Sequence, residues 1–545
     1  MNILLQNANV YDGTGADARQ ADVLIADDRI AAVGPNLPAE GAQVIDLRGL
    51  SLAPGFIDAH SHNDWMAIKR EPLPWFAPFI RQGITSFVTG NCGLSATGFA
   101  QDSPHADLVG GGLFRFDDTT GRYGDMASFF DAIDRHTPCN IAAMMGHNSA
   151  RAGVAGNEAR PLTGDELTRM LAVLERGLRE GACGLSLGLM YEPGLYAPRE
   201  ELKAVADLCV KYDRPMAVHP RACSKVSMAY PQLLGRPHLL RALDELHDLA
   251  WGTRLKLQYS HAIFVGRRSL PCKDELLRIL EGMRAEGIDA MFDIYNETLG
   301  TTVITVVMPP WYMALDAGQK RQPLNMLRFR VMARASIMLL GFDFGDMTIA
   351  YIGPGHESYE GKTVAQIARE MGVADVEAYL RLCELSNFHG RINMGPYSTP
   401  EIITELSRHD QALYMTDGWV EAHGVQNPAI YDCFPKFLRD ALLGRGDTLP
   451  RAVRKMTGAT ADRFSLKDRG YIRPGCFADL TVFDERALRD GQPDQGRAFG
   501  IERVFINGRQ VMQSGALDEA ALTTSGRAMR AGKARLGASG GQKFR

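Results

Sequence analysis

Two histidines two residues apart close the stretch Leu52-Ala-Pro-Gly-Phe-Ile-Asp-Ala-His60-Ser-His62. In an extended chain, residues i and i+2 point to the same side, so His60 and His62 aim two imidazoles at one point. Imidazole is a common ligand for zinc-like divalent ions. Alone, such a pair could equally belong to a polar loop. Further donors in a regular series decide against that. Cys92 sits in Gly90-Asn-Cys-Gly93, His219 ends Pro215-Met-Ala-Val-His, His261 ends Leu255-Lys-Leu-Gln-Tyr-Ser-His, and Asp417 ends Ala412-Leu-Tyr-Met-Thr-Asp. Zinc needs three or four N, S or O donors, so these six serve two adjacent ions, or one tight and one weak site. A thiolate at Cys92 can bridge two ions, although a lone cysteine is more often a small buried hydrophobe. A carboxylate at Asp417 beside a metal-activated hydroxide can take the water proton and pass it to a leaving amine. Its plainer alternative is a helix N-cap.

Each donor needs an element to hold it. Apolar, β-rich runs precede His62, Cys92, His147, Leu189, His219, His261, Tyr295 and Asp417, with helical patterns between most of them. Six of the eight runs end on His, Cys or Asp. Strands alternating with helices suggest a (β/α)8 TIM-like barrel over 53–467, whose reactive groups lie at the C-terminal strand ends. Thr163, with Glu166 three residues on, predicts a capped helix start. Residues 1–52 and 468–515 share a texture of short strands and Asp-Gly or Asn-Gly turns. They are expected to join as one small β-sandwich. Residues 296–350 interrupt the rhythm with Met308-Pro-Pro-Trp-Tyr-Met313 and a basic run, and are read as an inserted lid. The tail, 525–545, is basic and rich in Gly, Ser and Ala, so mobility is expected there.

Composition narrows the class. The 545 residues carry a formal net charge of -4 with 45% hydrophobic content, giving no cause to expect nucleic acid or a membrane as partner. Nine cysteines, an odd number without repeating spacing, argue for a reducing compartment. The N-terminus lacks a basic n-region, so no secretory signal is expected and a cytoplasmic location follows.

Pro54-Gly-Phe-Ile-Asp-Ala-His-Ser-His62 resembles the first-strand signature of the amidohydrolase superfamily. Gly90-Asn-Cys-Gly93, Gly146-His147 through Arg151, Tyr259-Ser-His261, Thr416-Asp-Gly418, Lys455-Met-Thr-Gly458, Leu466-Lys-Asp-Arg-Gly470, Ile472-Arg-Pro-Gly475 and Ala478-Asp-Leu480 look like its N-acyl-D-amino-acid deacylase branch. The resemblance implies a tight zinc on Cys92, His219 and His261, a weaker second site on His60 and His62 sharing Cys92, and Asp417 as acid/base. It implies hydrolysis of the amide of a small N-acyl amino acid. Ring opening of a cyclic amide such as a hydantoin uses the same donors and is the alternative. A metal-holding scaffold would be marked by loss of the acid/base, yet Asp417 is present. Assembly into a homo-oligomer is left open. Three departures stand out. Ile263 replaces a lysine that the branch uses on the substrate carboxylate. His219-Pro220-Arg221 replaces His-Met-Arg, and Asp293-Ile-Tyr-Asn-Glu297 departs from a Tyr-Pro-Tyr-like run. Arg151, Tyr191 and Arg221 are then the candidates for that carboxylate, with His147 as an outer group.

Overall fold

The computed structural model describes residues 2–227, 229–230, 235–493 and 499–532. Phe56–Asp58, Ile84–Thr89 and Asn140–Ala143 form one parallel sheet. Met145–Gly146, Leu185–Gly188, Pro215–His219, Lys256–Tyr259, Asp289–Ile294 and Ala412–Tyr414 form another, also parallel. The two sheets meet at both edges. Asn140–Ala143 runs through Met144 into Met145–Gly146. At the other edge the Ala59 amide donates to the Tyr414 carbonyl (3.2 Å), and the Asp417 amide to the His60 carbonyl (3.0 Å). Most of these strands are buried on both faces, which is why they read as continuous apolar runs rather than alternating ones.

Helices between the strands cover them. Gly164–Glu180 starts at a capping box: the Glu166 amide donates to Thr163 Oγ1 (3.3 Å), and the Thr163 amide to the Glu166 carboxylate (2.7 Å). It ends at Gly181, whose φ of 112° a side chain would disfavour. Met170, Leu174 and Leu178 form its buried face at helical spacing.

The chain ends meet in a single sheet of nine strands. Ser51–Pro54 pairs antiparallel with Leu480–Phe483, which joins the N-terminal strands to the C-terminal ones. Ala42–Asp46 branches from this path by pairing with Asn2–Val10, and Leu5, Val23 and Ile25 share one apolar core with Leu480, Val482 and Phe505. The sheet is fixed to the parallel strands by buried polar groups: Asp479 accepts from Asn140 Nδ2 (3.1 Å) and from the Asn507 amide (2.8 Å), and pairs with Arg469.

The excursion after Asp289–Ile294 is longer than the 296–350 expected from sequence. Its three strands, Gly300–Val303, Met347–Tyr351 and Arg391–Met394, form an antiparallel sheet. Its apolar core runs from Ile304 to Tyr397 and includes helices Val364–Met371 and Asp375–Leu385. Ile263 packs against this core and the main one. Residues 525–532, expected to be mobile, are docked instead: Ser525 is buried, and the Met529 amide donates to the Ile141 carbonyl (2.8 Å). Residues 533–545 lie outside the described residues. Among the described residues, no helix is long and apolar enough to cross a membrane.

Candidate metal centre

The six donors arrive on five strand ends, His60 and His62 sharing one, and converge. Cys92 Sγ lies 3.4 Å from His60 Nε2, 3.6 Å from His219 Nδ1 and 3.6 Å from His261 Nε2. Asp417 Oδ1 stands 3.3 Å from the same His60 Nε2 and 3.6 Å from His62 Nε2. Ligands held tetrahedrally at about 2.0–2.3 Å from zinc stand about 3.3–3.8 Å apart. The observed spacings match that distance for sulfur and nitrogen alike. His60, Cys92 and His261 form one group of donors able to hold an ion, and His60, His62 and Asp417 a second. His60, shared by both, and Cys92 lie where two neighbouring ions would adjoin.

The backbone is bent to bring them there. Cys92, His261 and Asp417 have φ of 52°, 34° and 50°, a region that residues other than glycine seldom occupy. Three such residues in one cluster mark a place where the fold holds local strain for function. Gly93, beside Cys92, has no room for a side chain, since a Cβ would lie 2.2 Å from Asn148 Oδ1.

Buried carboxylates orient the imidazoles. Asp58 accepts from the His60 amide (3.1 Å), the Thr416 amide (3.0 Å) and Thr416 Oγ1 (2.5 Å), so it ties the first donor strand to the last. Burial pushes Asp58 up to about 7. Asp293 accepts from the His261 amide (2.6 Å) and from Gln258 Nε2 (2.8 Å), and lies 3.3 Å from His60 Nδ1. This turns His60 Nε2 toward Cys92 and Asp417. A further thiol, Cys223, stands 3.9 Å from His219 Nε2.

The electrostatics favour a thiolate among the imidazoles. Burial opposes ionisation of Cys92, but the His60 charge and hydrogen bonds from His219 and His261 hold its thiol well below the usual range. Burial likewise opposes ionisation of Asp417, yet His60 and His62 hold it well below the usual carboxylate range. Burial favours neutral His62, but Asp417 and Cys92 raise it to about 9.

Of the substrate-binding candidates, only Tyr191 faces this cluster. Its ring centre lies 4.5 Å from that of His219. Asn148 holds its loop by donating to the Gly188 (2.9 Å) and Tyr191 (3.3 Å) carbonyls. Arg151 is buried, donating to Glu201 (3.0 Å) and the Arg160 carbonyl (2.7 Å). His147 binds the same Glu201 at 2.7 Å. Arg221 forks onto Glu245 with two 3.0 Å bonds and also donates to the Leu195 and Ala197 carbonyls. Both guanidinium groups are therefore engaged by the protein itself, which corrects the expectation that they await a substrate carboxylate.

Besides Tyr191, the mouth holds groups that the sequence reading did not assign to the site, Tyr295 and Tyr397 among them. Burial, then anionic neighbours including Asp417, keeps the phenols of Tyr191, Tyr295 and Tyr397 protonated well above the ordinary value. Phe114 and Trp419 pack against His62 with ring centres at 5.3 and 5.4 Å, shielding it from water. The cleft over Asp417 is lined in part by Thr301, Tyr351, Arg391, Trp419 and Glu421. Three of these, Thr301, Tyr351 and Arg391, come from the excursion's sheet. Asp58 was findable in principle, because it lies two residues before His60 on one strand face.

Residues 43–219 match the sequence profile of the Amidohydrolase family. The chain is 29% identical to a D-aminoacylase of Alcaligenes xylosoxydans xylosoxydans over 94% of each. A D-aminoacylase structure described as holding a binuclear metal centre superposes with a TM-score of 0.75 at 27% identity, covering 97% of this chain and 99% of that one. The N-acyl-D-glutamate deacylase of Bordetella bronchiseptica, solved with zinc and a phosphonate mimic of the tetrahedral intermediate, superposes with a TM-score of 0.76 at 25% identity, with the same coverage. A D-hydantoinase structure, at 15% identity and a TM-score of 0.54, shares the fold alone.

Proposed function

We propose that this protein, whose residues 43–219 match the Amidohydrolase family profile and which is alike to a D-aminoacylase along nearly its whole length, is a zinc-dependent deacylase that hydrolyses the amide bond of an N-acyl-D-amino acid. The observation that carries the reading is the convergence of Cys92, His219 and His261, with Asp417 beside His60 and His62. We read the parallel strands as one closed (β/α)8 barrel, with the donors at the C-terminal strand ends. All nine cysteines are free and buried, which supports a reducing, cytoplasmic location.

Cys92, His219 and His261 would hold the tight ion, and His60 and His62, with Cys92 shared, a weaker second one. When bound there, an ion would supply Lewis acidity, the chemistry that polarises a carbonyl and makes water acidic near neutral pH. Asp417, ionised and about a quarter exposed, accepts the proton of the attacking water. It then returns that proton to the departing nitrogen, so that water and amide become carboxylic acid and amine. Tyr191, protonated and beside His219, is placed to donate to the carbonyl oxygen as negative charge develops there.

Arg391 is the cation we assign to the substrate carboxylate. It lines the cleft that holds Asp417; its Nη2 donates to the Leu113 carbonyl (2.6 Å), and its nearest carboxylate, Glu421, stands off from Nε at 3.5 Å. A hydrolysis panel of N-acyl-D-amino acids, their L forms and cyclic amides, with zinc supplied, tests the activity. Turnover confined to the acyclic D series supports the reading. Turnover of the cyclic amides alone replaces it with ring opening.

A further inference from the structure

Helix Pro323–Leu340, on the excursion, buries Phe329, Ala333 and Ile337 and leaves a second apolar row outside. Leu324, Leu327, Val331 and Met338 are 75, 58, 60 and 62% exposed. Their spacing of three, four and seven places them on one stripe of the helix. Such exposure of large apolar groups in one row exceeds what scattered surface residues show.

The stripe has a cationic border. On a helical projection Arg328 flanks it on one side, with Arg330 and Arg334 on the other, and Arg321 precedes the helix. All four are exposed. From 317 to 342 the sequence holds five cations and no Asp or Glu. Among the described residues, Arg330 alone of the four arginines has a carboxylate partner, Glu377 at 2.7 Å. Arg328 lies over the Trp311 ring at 4.3 Å, which leaves its charge uncompensated. The net charge of -4 for the whole chain conceals this local excess.

We propose that this face is a peripheral docking surface for an anionic lipid membrane. An apolar ridge bordered by arginines is the pattern of a helix lying in the interfacial plane, its apolar side chains reaching the acyl boundary and its cations meeting headgroup phosphates. A second copy of the chain suits the face poorly, because self-pairing would set one arginine border against another. A peptide helix suits it poorly too, because the pocket beside the helix, lined in part by Arg334, Ile337, Met338, Phe344 and Asp375, takes in none of Leu324, Leu327 and Val331.

The test uses the full chain, floated with vesicles of phosphatidylcholine alone or mixed with phosphatidylglycerol. The wild type is expected on the mixed vesicles at low salt, about tenfold more weakly on the neutral ones, and released as salt rises. The triple variant L324S/L327S/V331S should bind the mixed vesicles at least about tenfold more weakly. R321Q/R334Q should also bind weakly and lose most of the salt dependence. Circular dichroism and the thermal midpoint check that each variant is folded, and the arginine pair keeps the question decidable if the triple variant is not. Three results overturn the proposal: no wild-type binding to the mixed vesicles, equal binding by both variants, or a concentration-dependent dimer that the triple variant abolishes without any vesicle binding. Vesicle binding does not depend on catalysis, so this outcome is independent of the deacylase reading.

Discussion

Cys223 Sγ lies 3.9 Å from His219 Nε2, while Cys92 Sγ lies 3.6 Å from Nδ1 of the same ring. The imidazole is thus held between two sulfurs. If Nδ1 serves the ion, Nε2 carries the hydrogen and Cys223 accepts it, fixing the tautomer. C223A is expected to weaken metal affinity about ten- to a hundredfold, as loss of such outer partners does elsewhere. Competition with a coloured chelator measures this without any turnover. Unchanged affinity would make Cys223 mere packing.

Asp417 is expected to act on protons rather than to hold the tight ion. D417N should retain that ion and lose turnover by about a hundred- to ten-thousandfold. Metal content and initial rates, taken on the same preparation, check both halves. Full turnover in D417N would remove Asp417 from the mechanism.

His62 gives a pH dependence. Its folded value, about 9, exceeds the ordinary 6.5. In the metal-free protein the stability it contributes is therefore complete below about pH 6.5 and is lost as pH rises through about 9. Metal at the second site must displace that proton, so its apparent affinity should rise from pH 7 toward 9. Thermal midpoints of the metal-free protein, and titrations of the second metal equivalent, should move in these opposite directions. A second-metal affinity flat across that range would show that His62 carries no proton to displace.

Asp58 accepts three hydrogen bonds that join the His60 strand to the Asp417 loop. D58A leaves buried donors unmatched, at about 1–3 kcal/mol for each donor left without a partner. Denaturant unfolding should show a loss of at least that size, with weakened second-metal binding alongside. A loss under about 1 kcal/mol would mean that the strands are held together without this carboxylate.

Arg391 should act on substrate binding. R391Q is expected to raise KM about tenfold or more with less effect on kcat, the loss being greatest for acyl amino acids with a free carboxylate. A substrate amidated at that carboxylate should be cleaved equally by both proteins. If R391Q discriminates against the amide as well, the residue shapes the cleft instead.

What could be read from the chain, and what could not, follows from the range of each interaction. His60, His62, Cys92, His219, His261 and Asp417 were visible because each ends a β-rich run, and strand ends of such a series share one face of the fold. The Thr163–Glu166 cap is local and legible for the same reason. The left-handed backbone at Cys92, His261 and Asp417 leaves no mark in residue type, since none is glycine. Arg221 looked available because it follows His219 by two, but Glu245, which claims it, lies on the next helix. The excursion was underestimated because its core pairs Ile304 and Phe329 with Tyr379 and Ile392, contacts that no local periodicity announces.

X-ray absorption at the zinc edge of the singly loaded protein addresses the metal-site claim most directly. The account requires one sulfur at about 2.3 Å with nitrogens at about 2.0–2.1 Å, and loss of the sulfur in C92S. A shell of nitrogen and oxygen alone in the wild type would contradict it.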